Sequence, residues 1–119
     1  NYPPIKSKGD LDVELEQDME DEQYLDILKK NLILLNDFNF DFVFYIAGVD
    51  IHLGDRLGKL KITDIGINRR DEMVIRNFFE RRIPICGVLG GGYNKDFEKL
   101  IELHASLHKN CAKYLNDKK

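Results

Sequence analysis

The sequence predicts an α/β fold: a parallel sheet with helices on both faces, a three-layer α/β/α arrangement. Three observations predict it. Two short runs, "DFVFYIAG" at 41–48 and "IPICGVLG" at 83–90, are apolar with almost no polar interruption, as expected of strands covered on both faces. Each run is followed by a glycine-rich loop and then by a stretch of helical periodicity. A further helical stretch precedes the first run. Alternation of this kind gives parallel strands joined by crossovers, with helices layered on the sheet.

The elements follow in order. "NYPPIKSKG" opens as an irregular segment, because its prolines cannot donate to a ladder. "DLDVEL", 10–15, alternates Leu11, Val13 and Leu15 with acids, which suits a short strand with one wet face. Between Asp10 and Asp26 there are many acids and no Lys or Arg. That composition fits a solvated loop feeding a helix N-terminus, where negative charge is welcome. An EF-hand loop would need a glycine that is missing here. From about Asp21 to Leu35, Tyr24, Leu25, Leu28, Leu32 and Leu35 recur at helical spacing. A second helix is predicted from about Asp64 to Arg81, with Thr63 as its cap and Ile67, Val74 and Phe78 on one face. The last runs from about Lys95 to Leu115, with Phe97, Leu100, Ile101, Leu107, Cys111 and Tyr114 inward. Lys109 and Lys113 give its final turns the favourable sign of charge.

Bulk properties narrow the function classes. At 119 residues and 43% apolar content the chain is one domain with a modest core. A formal net charge of −3 argues against a nucleic-acid partner, which needs a concentrated basic face. No apolar run is long enough to span a bilayer, so no membrane role is expected. Cys86 and Cys111 lie in different predicted elements and read as two buried free thiols of a cytoplasmic protein. The chain starts at Asn1 rather than Met, which leaves room for a native start upstream.

The chemistry is concentrated in the two loops. In an open parallel sheet the ligand crevice lies beyond the C-terminal strand ends. Both glycine-rich loops, 48–58 and 90–94, leave those ends, so neighbouring strands would bring Asp50 and Tyr93 to one crevice. In "GVDIH", Asp50 and His52 are residue types that zinc accepts, but taken by itself the pair reads first as a polar loop with a hydrogen-bonded His. In "GGGYN", Gly90, Gly91 and Gly92 permit close backbone approach, while no phosphate-binding glycine motif is present. Tyr93 fits a phenol aimed at a ligand, or a core aromatic with its hydroxyl satisfied. His104 and His108, at i and i+4, could hold a metal or form a solvated helix face, and "ASL" between them supplies no catalytic Glu.

Three stretches together, "YIAGVDIHLGDRLG", "LKITDIGINRRDEMV" and "RRIPICGVLGGGYNKD", resemble the C-terminal half of a zinc-dependent histone deacetylase-like enzyme. "GDRLG" and "RRDEMV" lean towards the class IV group and its bacterial relatives, and the likeness covers nearly the whole chain. The resemblance implies an arginase/deacetylase-like fold and removal of an acyl group from acylated lysine or a related amide. It implies zinc as cofactor, with Asp50 matching a zinc-ligating carboxylate. Tyr93 matches the tyrosine that hydrogen-bonds the substrate carbonyl. Leu57 matches a wall of the acyl-lysine channel, Gly91 and Gly92 border that channel, and Tyr2 matches an aromatic channel position. His52 matches no direct metal ligand.

The family's remaining zinc ligands come from an earlier Asp-x-His motif, and its base from a His-His pair. Neither is present, since the histidines are His52, His104 and His108. Residues 1–119 are therefore expected to be a C-terminal portion of a deacetylase-like domain without its N-terminal half, and inactive alone. The missing half is the expected partner, with self-association through an exposed sheet edge. Two other readings are a non-catalytic binding module of the same fold and a small nucleotide-binding domain using the glycine turn.

Overall fold

The computed structural model describes residues 9–117. Helix α1, Asp21–Leu35, precedes strand β1, Val43–Ala47; helix α2, Asp64–Glu80, leads to strand β2, Ile85–Leu89; helix α3, Phe97–Asp117, closes the chain. The strands pair in parallel, with Val43 opposite Ile85 and Ala47 opposite Leu89. The α/β class, the parallel pairing and the α2 crossover agree with the sequence. So does the cap of α2, where the Thr63 hydroxyl accepts the Gly66 N–H.

The pleat separates two sets of residues. Val43, Tyr45 and Ile85 pack with Leu32 of α1 and Val74 and Phe78 of α2. Ala47 and Tyr45 pack with Ile75 of α2 and Leu107 of α3. A Cβ on Gly87 would fall 2.7 Å from Leu107 Cδ1, so α3 lies directly on β2 there. All three helices thus sit on one face. Phe44 and Ile46, on the opposite face, are 72% and 71% exposed.

Among the described residues the sheet is therefore covered on one side, not two, and β1 is half-covered. The reason is topological. Helices pass to the opposite face where the strand order reverses, and two strands offer no reversal.

Three further expectations change. "DLDVEL" is irregular, with Leu11, Val13 and Leu15 all exposed. Its alternation has no partner edge to pair with; the first ladder contact is the isolated bridge from Glu20 to Lys61. On α3 the inward stripe is Leu100, Leu103, Leu107, Asn110 and Tyr114, at helical spacing. Phe97, Ile101 and Cys111 are exposed, the last two lying one position off that stripe. Both cysteines are free, but only Cys86 is partly buried.

Candidate active site

Parallel pairing in register ends both strands at the same level, so their loops leave side by side. The Val49 N–H donates to the Gly91 carbonyl at 2.7 Å, tying one loop to the other. A Cβ on Gly91 would lie 3.1 Å from Asp50 Oδ2 and 3.6 Å from Tyr93 Cε2. A Cβ on Gly48 would lie 3.0 Å from Asp50 Oδ1. The Asp50 carboxylate and the Tyr93 ring thus border the backbone of one glycine. Tyr93 is 50% exposed and Leu57 47% exposed. Gly92 backs onto α3: a Cβ there would meet Val49, Leu100 and His104 within 3.1 Å. Tyr2 lies outside the described residues.

The Asp50 loop rests on a buried polar cluster. The Arg70 guanidinium donates from Nη1 to the Gly48 carbonyl and from Nε and Nη2 to Asp71 Oδ1. Asp71 also accepts the Tyr45 hydroxyl on Oδ1 and the Ser106 hydroxyl on Oδ2. Arg70 and Asp71 are 5% and 1% exposed, so neither charge has solvent to fall back on. Burial works against the Arg70 charge, but the Asp71 carboxylate, bonded to it from both Nε and Nη2, offsets that and the guanidinium stays cationic. Burial likewise pushes the Tyr45 phenol far above its usual range, so it stays a donor.

Two further groups shape the loop. His52 is buried, and its Nδ1 accepts the Gly54 N–H and faces the Asn94 amide. Its Nε2 then carries the proton and donates to Asp64, which also binds Lys99. Lys99 first, and His52 with it, hold the Asp64 carboxyl below its ordinary value. Asp55 joins the loops: Oδ1 accepts the Tyr93 N–H at 2.6 Å, and Oδ2 accepts the N–H groups of Leu57 and Gly58. Gly58 is obligatory, because a Cβ there would fall 1.8 Å from the Asp50 carbonyl oxygen.

Among the described residues no group of three or more His, Cys, Asp or Glu could hold a metal. Asp50 stands without a second ligand, and His52 is committed to Asp64, Gly54 and Asn94. These residues do not make a complete zinc site.

Sequence reasoning brought together Asp50, Gly91 and Tyr93 but missed Arg70, Asp71 and Asp55. The first two carried a signal. They stand at the third and fourth positions after Ile67 and before Val74, on the buried stripe of α2. Opposite charges on an apolar stripe mark a paired, buried function.

Adjacent parallel strands, with a carboxylate and a phenol brought together beyond their C-terminal ends, make a candidate ligand site on an α/β domain. The fold matches the crystal structure of acetylpolyamine aminohydrolase from Burkholderia pseudomallei at a TM-score of 0.66 and 20% identity. That match covers 79% of this chain and 26% of the other. The histone deacetylase domain family matches residues 5–108, and the chain belongs to that family. An uncharacterized protein of Picosynechococcus sp. is 43% identical across 92% of this chain and 37% of its own length. Histone deacetylase 2 of Arabidopsis thaliana is 39% identical across 77% of this chain and 24% of its own. The chain thus spans well under half of the relatives it matches. No helix among the described residues is long and apolar enough to cross a membrane.

Proposed function

We propose that this chain is the C-terminal part of a zinc-dependent hydrolase that removes acyl groups from acylated lysine or a related amide. The juxtaposition of Asp50 and Tyr93 about Gly91, in a chain of this family, carries the reading. In the whole protein Asp50 contributes one carboxylate to the zinc site. The Tyr93 phenol donates to the oxyanion that forms at the substrate carbonyl. Leu57, Gly91 and Gly92 line the acyl channel. The other ligands and the base come from the N-terminal half, the chain's first partner. Free Cys86 and Cys111 support a cytoplasmic setting.

The reading is tested in the full-length protein with an acyl-lysine peptide. Asp50→Asn weakens zinc binding, because a neutral amide is a poorer ligand than a carboxylate. Tyr93→Phe keeps the ring and the zinc but lowers kcat by roughly a hundredfold. Unchanged zinc affinity in the first variant removes Asp50 from the metal. Unchanged kcat in the second makes Tyr93 a packing residue. The 119-residue chain alone, with added zinc, is expected to show no turnover.

A further inference from the structure

Among the contacts between the two loops is a side chain that the catalytic reading does not use. Asp55 belongs to the loop after β1, and Tyr93 to the loop after β2. The Asp55 bonds to the N–H groups of Leu57 and Gly58 are local, at 2.9 and 2.7 Å, and are what an aspartate at the head of a turn ordinarily makes. Such a turn occupies one carboxylate oxygen. The other reaches 38 residues along the chain to the Tyr93 N–H at 2.6 Å. The adjacent Arg56 N–H donates to the Tyr93 carbonyl at 3.3 Å, and Asp55 and Asn94 form an isolated antiparallel bridge. Tyr93 is therefore gripped at both its backbone N–H and its carbonyl by consecutive residues of the opposite loop. A half-exposed ring has little packing to aim it, so the grip on its backbone sets where the hydroxyl can go.

We propose that Asp55 is the positioning residue of Tyr93: its carboxylate fixes the backbone from which the phenol reaches the substrate. The proposal rests on the reading of Tyr93 as the oxyanion donor. A carboxylate suits the task because all three of its partners are N–H donors, and an ionised acceptor strengthens each bond. An amide at 55 would keep one acceptor and turn an N–H₂ group towards a donor.

The test is a double-mutant cycle in the zinc-loaded full-length protein, with an acyl-lysine peptide as substrate. Asp55→Asn is expected to lower kcat about tenfold, with KM changed by less than about twofold, because the loss falls on the transition state. In a Tyr93→Phe background the same substitution should cost almost nothing further, because the hydroxyl it positions is gone. Asp55→Ser is the second variant. Its hydroxyl can keep the local turn but cannot also reach Tyr93, so it should show the same Tyr93-dependent loss. Equal fold losses with and without the Tyr93 hydroxyl would show a merely structural role and overturn the proposal, as would unchanged kcat in both Asp55 variants. A Tyr93→Phe protein as active as wild type overturns the oxyanion reading itself, and this proposal with it.

Discussion

The two faces of the sheet are built from the same kinds of residue and meet different fates. On one face Val43, Tyr45 and Ile85 lie under Leu32, Val74 and Phe78, and Ala47 lies under Ile75 and Leu107. On the other, Phe44, Ile46 and Val88 are exposed, and Phe42 leans on Phe44 with ring centroids 5.0 Å apart. Burying such a side chain is worth about 1.5–3 kcal/mol, so the second face leaves that stabilisation unrealised among the described residues. The residue chemistry of a strand says how much apolar surface it brings. What covers that surface is decided by topology. The covered face also carries the polar cluster that supports the Asp50 loop, so stability and site geometry depend on the same side.

The largest expected difference lies at the heart of the covered face. Asp71→Ala would leave the Arg70 guanidinium buried without its carboxylate and free the hydroxyls of Tyr45 and Ser106. Removing one partner of a buried pair typically costs about 3–5 kcal/mol. Urea unfolding should show this as a large drop in midpoint, or as a protein that does not fold. Because Arg70 also binds the Gly48 carbonyl, the same variant should disturb the Asp50 loop. A midpoint within error of wild type would mean that the cluster does not hold the covered face together.

Next comes a matched pair of phenylalanines. Phe78 is 4% exposed and Phe44 is 72% exposed. In the 119-residue chain, Phe78→Ala should cost about 3–5 kcal/mol and Phe44→Ala less than about 0.5 kcal/mol. Phe44→Ser should also reduce self-association in analytical ultracentrifugation, since it breaks the apolar surface of the bare face. In the full-length protein the gap between the two alanine variants should narrow if the N-terminal half covers that face. A gap that persists there would mean that the bare face remains exposed.

This contrast explains what could be read from the sequence. The apolar runs at 41–48 and 83–90 and the periodicity of α1 and α2 located the elements to within two residues, because helix faces and buried strands leave local signatures. Asp50 and Tyr93 could be paired because parallel strands send their loops out at one end. The bare face was not legible, since "FVFYIA" reads alike whether one side or two are covered. "DLDVEL" misled because alternation describes a strand's faces without supplying its partner. Asp55 escaped because its bond to Tyr93 spans 38 residues, and no local pattern records such a contact.

The smallest expected effect concerns the seam between the glycine loop and α3. His104 sits beneath Gly92, and its Nδ1 is buried with no hydrogen-bond partner among the described residues. Protonation would place a second N–H where nothing accepts it. Burial, aided by the Arg70 charge, holds the imidazole below its ordinary value of 6.5. The folded state therefore favours neutral His104, while the unfolded chain takes up its proton first as the pH falls. This stabilisation is fully present above about pH 6.5 and is lost as the pH drops through the lower, folded value. Urea midpoints measured from pH 7.5 down to pH 5 should fall in the wild-type chain, and His104→Gln should flatten that fall because glutamine does not titrate. Equal slopes in the wild type and His104→Gln would mean that the seam opens enough to hydrate the ring.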